Sequence, residues 1–172
     1  FIINLNYEND LSYILFYTSL IIFSFLIFNF PKAQIFLGDG GAYLVGALIA
    51  ISVINTNNFY PSISSFFFCI LLFYLFFEVF FSFFRKIFFA RQSPLLPDNK
   101  HLHMLLYKLL LKRNKKKVLA NYQVSIFINL TYLLLITPGI IFMDNGIFCR
   151  YYFFSLLFVY MFFYKILYKK IQ

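Results

Sequence analysis

Residues 11–30 and 118–142 carry no charged side chain. A helix needs about 20 predominantly apolar residues to cross the hydrocarbon of a bilayer. No water is available there, so the backbone must satisfy its own hydrogen bonds, and a helix does this within one segment. Residues 62–84 form a third such run, rich in Phe and broken only by Glu78, and residues 151–168, with Lys165 near the far end, form a fourth. Residues 41–55 make a shorter fifth segment. The expectation is an all-α, multi-span membrane bundle with about five spans. With 62% hydrophobic and 12% charged residues, an ordinary soluble domain is excluded.

The net charge of +9 does not point to nucleic acid, because the charges cluster beside the apolar runs. Fourteen of the 15 Lys and Arg residues fall at the same ends of the spans, and Arg150 alone falls at the other. Basic residues stay on the cytoplasmic side, so the turn near Lys32, the loop 85–117 and the C-terminus are expected in the cytoplasm. The chain reads as a single transmembrane domain over 1–172 with that loop as its cytoplasmic part. It opens on Phe1, without an initiator Met or a signal pattern, and is expected to be a fragment of a larger bundle. Cys69 and Cys149 form no redox or metal pattern. The sequon at Asn129 lies inside a span and is discarded.

Two polar stretches break this apolar background. The first holds Asp39 among Gly38, Gly40 and Gly41, between two apolar segments. A carboxylate cannot remain unsolvated in lipid, so it lies at the surface, in a polar cavity or on a cation. It suits a helix N-cap. It equally suits a metal–diphosphate site, where bare glycine N–H groups at a helix start receive anionic oxygens and the acid holds Mg²⁺. Gly38, Ala42, Gly46 and Ala50 recur every fourth residue, which favours close helix packing, and residues 55–61 read as a polar turn.

The second stretch runs from Arg91 to His103 and offers two imidazoles, an acid and two cations. Arg91 and Lys100 suit the neutralisation of a diphosphate, and His101 and His103 suit donation of a hydrogen bond or a proton to it. Residues i and i+2 do not share a helix face, so the two imidazoles are not read as a metal pair. Asp98 reads as the N-cap of a helix from Asn99, whose leucines (Leu102, Leu105, Leu106, Leu109, Leu110) form the apolar side of a surface amphipathic helix. Arg85, Lys86 and Lys115 to Lys117 read as solvated positive-inside charge. An acid within a span is a functional candidate, and Glu78 is weighed against snorkelling or pairing with Arg85. Pro138-Gly139 reads as a kink.

Asn29, Pro31, Ala33, Ile35, Phe36, Leu37, Gly38, Asp39 and Gly41 fall in the order found near the metal site of the polyprenyl-phosphate N-acetylhexosamine-1-phosphate transferases (glycosyltransferase family 4). Ser93, Pro94, Asp98, His101, Leu102 and His103 are similar to that family's histidine loop in its undecaprenyl-phosphate GlcNAc-1-phosphate branch, with Met104 where the family has a further His. The resemblance implies transfer of a sugar-1-phosphate from a UDP-N-acetylhexosamine to a polyprenyl (undecaprenyl) phosphate in the inner membrane, with Mg²⁺, for cell-envelope polysaccharide. It implies that Asp39 binds Mg²⁺ or positions the diphosphate, Phe36 stacks on uracil, Asn29 lines the nucleotide pocket, and His101 and His103 contact phosphate. A homodimer is compatible with it. The family's Asp-Asp pair, which lies in its N-terminal half, has no counterpart here. The competing reading is a transport or channel segment with Asp39 and Glu78 on an ion path.

Overall fold

The computed structural model describes residues 10–30, 34–89, 91, 93, 96, 98–114 and 116–171. It is all-helical, in two compact units, residues 1–62 and 63–172. Pro31, Lys32, Ala33, Pro94, Pro97 and Lys115, named above, lie outside the described residues.

The first unit contributes α1 (Asp10–Asn29) and α2 (Gly38–Phe59). The hydroxyls of Thr18, Ser24 and Ser52 donate to carbonyls one turn back in their own helices, at 2.7, 2.9 and 2.5 Å. This lets short polar residues sit in an apolar span without an orphaned group. The α2 helix starts three residues before the expected segment and continues to Phe59, so residues 55–59 are helical and not a turn. Its Asn and Thr residues are too few to end a helix that Ile51, Val53 and Ile54 keep apolar.

The second unit holds α3 (Ser65–Leu71), α4 (Phe73–Phe84), a π turn (Arg85–Phe89), α5 (Leu102–Asn114), α6 (Lys117–Ile141) and α7 (Gly146–Ile171). Residues 62–84, expected as one span, are broken: α3 and α4 meet at Leu72 with a 75° bend. No proline causes it. Leu72 sits at φ −104°, ψ 8°, and the Tyr132 hydroxyl of α6 donates to the Leu71 carbonyl at the break. A side chain from a neighbouring helix has taken up a backbone acceptor at the bend. Among the described residues four helices are long and apolar enough to cross a membrane, and the bent pair, taken as one span, makes a fifth.

The core of this unit is local and aromatic. Ile70 of α3 is fully buried against Gly139 of α6, where a Cβ would come within 2.9 Å of the Ile70 Cγ2 methyl. Thus Gly139 serves close approach, and α6 continues through Pro138 to Ile141. Phe77 and Phe81 of α4 meet Tyr160 and Tyr164 of α7 edge-on at 4.9 and 4.7 Å, a favourable ring geometry. Ser64 caps α3 through the Phe66 N–H at 3.3 Å, and Asn145 caps α7 through the Phe148 N–H at 3.0 Å. The Ser64 N–H also donates to the Met143 carbonyl at 2.9 Å, joining the start of α3 to the α6–α7 turn. Arg150 lies at this same end, over the Phe66 ring at 5.4 Å.

The α5 helix departs from expectation in where it lies. It packs on α6 and α7, and Leu105 is only 2% exposed. Leu102 and Leu106 line an apolar cavity of about 160 Å³ with Phe73, Tyr132, Leu156 and Tyr160. Its leucines therefore meet protein, because α6 and α7 offer an apolar face at that end.

Candidate functional site

The first unit carries Asn29, Phe36, the glycines and Asp39. Asn29 ends α1 and is half-buried, whereas Phe36 is 89% exposed. The N-cap of α2 is Leu37, which makes no side-chain cap, so Asp39 is not the cap expected of it. It lies in the first turn, where a negative charge still favours the helix dipole. Gly38 has φ +71°, a backbone that favours glycine, and a Cβ on Gly41 would meet Leu37 Cγ at 2.7 Å. A Cβ on Gly40 would meet nothing. Local geometry therefore accounts for two of the three glycines. Asp39 is exposed and has no hydrogen-bond or ion-pair partner among the described residues. No group of three or more His, Cys, Asp or Glu suited to a metal occurs among them. If Mg²⁺ binds here, Asp39 would be a single carboxylate ligand, with phosphates and waters supplying the rest.

The second unit brings the histidine loop onto a buried acid. Glu78 of α4 is 8% exposed. Its Oε1 lies 3.0 Å from His101 Nδ1 and accepts the Leu102 N–H at 2.7 Å. Its Oε2 accepts the Tyr160 hydroxyl of α7. Glu78 therefore neither snorkels nor pairs with Arg85. An acid so deep in an apolar unit needs donors on both oxygens, and three lie around it. It also supplies a cap for the first N–H of α5, a role assigned to Asp98 from sequence.

Asp98 has other work. Its Oδ2 pairs with Arg85 Nη2, and its Oδ1 accepts the Lys100 N–H at 2.9 Å. The helix begins at Leu102, too far along for Asp98 to cap it. Burial alone would raise the Asp98 carboxyl, but hydrogen bonds from Arg85 and Lys100 and the charges of Arg85 and Lys86 hold it below the usual range. Arg85 and Lys86, expected in solvent, are largely buried: the Arg85 side chain is 11% exposed, and Lys86 Nζ donates to the Leu96 carbonyl at 2.5 Å. They fasten the loop to the end of α4. The Tyr164 hydroxyl adds a bond to the Lys100 carbonyl at 2.9 Å.

His101 precedes α5, which frees it from helical spacing, and its ring stacks on His103 at 5.6 Å and 14°. The two imidazoles thus share a face despite their i, i+2 separation. His103 also lines a cleft of about 420 Å³ with Met104, Tyr107, Lys117, Val118, Asn121 and Val124. Partial burial holds the His103 imidazole below its ordinary value, and His101 adds to this while Glu78 opposes it. Arg91 is exposed, with φ +49°. Tyr160 and Asn121 carried no signal in the sequence, since one Tyr among 14 and one polar residue in a span are unremarkable until the helices pack, and Lys117 was read only as solvated charge.

Residues 1–57 match the family model described as glycosyl transferase family 4. A stretch of 82 residues, 48% of this chain, is 33% identical to the undecaprenyl-phosphate alpha-N-acetylglucosaminyl 1-phosphate transferase of Thermotoga maritima and spans 26% of that protein. No solved structure matches. The matched family region contains Asn29, Phe36 and Asp39, and the histidine loop lies beyond it.

Proposed function

Because residues 1–57 match glycosyl transferase family 4, we propose that this membrane protein contributes to a polyprenyl-phosphate sugar-1-phosphate transferase. In the finer form, a phosphate oxygen of the polyprenyl phosphate attacks the β-phosphorus of a UDP-N-acetylhexosamine. The bond from that phosphorus to the bridging oxygen breaks, UMP leaves, and a polyprenyl-diphosphate-sugar remains. Mg²⁺, when bound, screens the diphosphate charge. Asp39 would hold the ion's protein side, and the N–H of Gly40 in the first turn of α2, not used within the helix, would receive a phosphate oxygen. His101 and His103 meet phosphate from the histidine loop, Arg91 adds positive charge, and Phe36 offers a bare ring to a uracil.

The observation that carries this reading is Asp39: exposed in a helix first turn, after a glycine at positive φ, and without a partner among the described residues. The transport alternative is weakened, because Glu78 already has three hydrogen-bond partners and is no open ion site. In the full-length protein, UMP release from UDP-GlcNAc and undecaprenyl phosphate should depend on Mg²⁺, and Asp39→Asn should abolish it with the melting temperature unchanged. Full activity of Asp39→Asn would refute the metal role.

A further inference from the structure

We propose that Glu78 is a positioning residue that holds His101 as the Nδ1-protonated tautomer, so that Nε2 is the atom the loop offers to an anionic ligand. The inference rests on the transferase reading only in taking that ligand to be a diphosphate.

Hydrogen-bond chemistry carries the argument. The Leu102 N–H can only donate, so the Glu78 Oε1 that receives it at 2.7 Å is an acceptor. That same oxygen stands 3.0 Å from His101 Nδ1. An unprotonated Nδ1 would set one lone pair against another, in a pocket where the acid is 8% exposed. A proton on Nδ1 turns the contact into a hydrogen bond. Tyr160 holds the other carboxylate oxygen, so the acid is braced from α5 and α7 independently of the imidazole. A carboxylate that orients a working histidine in this way sets its tautomer and stabilises its cation.

The consequence concerns the ring's other nitrogen. Neutral His101 presents an Nε2 lone pair, and only the cation presents an Nε2–H to a phosphate oxygen. The other titratable or charged groups nearby are Tyr74 on α4, Tyr160 and Tyr164 on α7, the Arg85–Asp98 pair and His103. His103 is stacked at 5.6 Å, and partial burial holds its imidazole below its ordinary value.

The test is ¹⁵N NMR of the histidine-labelled full-length protein in detergent, with His101 assigned by signals lost in His101→Ala. Wild type at alkaline pH should show Nδ1 protonated and Nε2 bare, the reverse of the tautomer favoured by free histidine. Nε2 protonated instead would overturn the proposal without any variant. Glu78→Leu keeps the bulk but removes the acceptor, and neutral His101 should return toward the Nε2-protonated tautomer. Glu78→Asp should restore part of the Nδ1-protonated form. A folded Glu78→Leu protein that keeps Nδ1 protonated would also overturn the proposal. In the same protein, UMP release should lose kcat with little change in KM for the UDP-sugar. Absence of UMP release from wild type would defeat the transferase reading and leave the tautomer result standing.

Discussion

Replacing Asp98 by Ala leaves the Arg85 guanidinium next to Ser82 and the Tyr164 ring with its counter-charge gone. The two side chains of the pair are 10% and 11% exposed. Breaking a buried pair from one side costs about 3–5 kcal/mol, because the surviving charge stays desolvated. The lower end, about 3 kcal/mol, applies here, since Ser82 Oγ remains 3.3 Å from Arg85 Nη2. The loss also removes the acceptor of the Lys100 N–H, one residue before His101. The loop should therefore loosen first, and the site with it. In detergent, Asp98→Ala should melt several degrees lower and be cut by protease between residues 89 and 101, and turnover should fall with the loop. Replacing both partners, Arg85→Met with Asp98→Leu, should recover most of the stability, as apolar pairs of similar size do. The pH dependence has a definite sign. The folded-state carboxyl is held below its unfolded value, so its stabilisation is complete above the ordinary Asp range and is lost as pH falls through the lowered value. Asp98→Ala should flatten that acid limb. An unchanged melting temperature, or an unaltered acid limb, would refute the buried-pair account.

Three further outcomes follow from the same geometry. His103→Ala in the full-length protein should lower turnover by roughly 2–4 kcal/mol in barrier, measured as UMP release, and unchanged turnover would return His103 to the role of a cleft wall. Gly139→Ala should cost about 1–3 kcal/mol of stability by overpacking, since the added methyl meets the stiff Ile70 branch at 2.9 Å; thermal unfolding reads it, and Ile70→Ala in the same chain should relieve the clash. Arg113→Cys should resist a membrane-impermeant thiol reagent in intact cells, if the tendency of basic residues to stay inside holds for the fourteen expected on that side; labelling before lysis would reverse the orientation.

What the sequence determined by itself is the solvent each segment requires. Charge-free runs such as residues 11–30 and 118–142 have no stable place in water, and the lone Asp39 among glycines requires water, a polar cavity or a cation. The order of Asn29, Phe36, Gly38 and Asp39 was legible only as a resemblance to a family, and its residues lie close together in sequence. Tertiary structure alone decided the partners. Glu78 is joined to His101 across 23 positions and to Tyr160 across 82. Leu72 breaks a span that holds no proline there, under a Tyr132 hydroxyl that arrives from 61 positions away. In a soluble helix an apolar stripe announces the buried face. A helix that meets lipid on one side and protein on the other is apolar on both, so periodicity is silent about which side chains will touch. That choice was left to packing, which joined α4, α5 and α7 around one carboxylate.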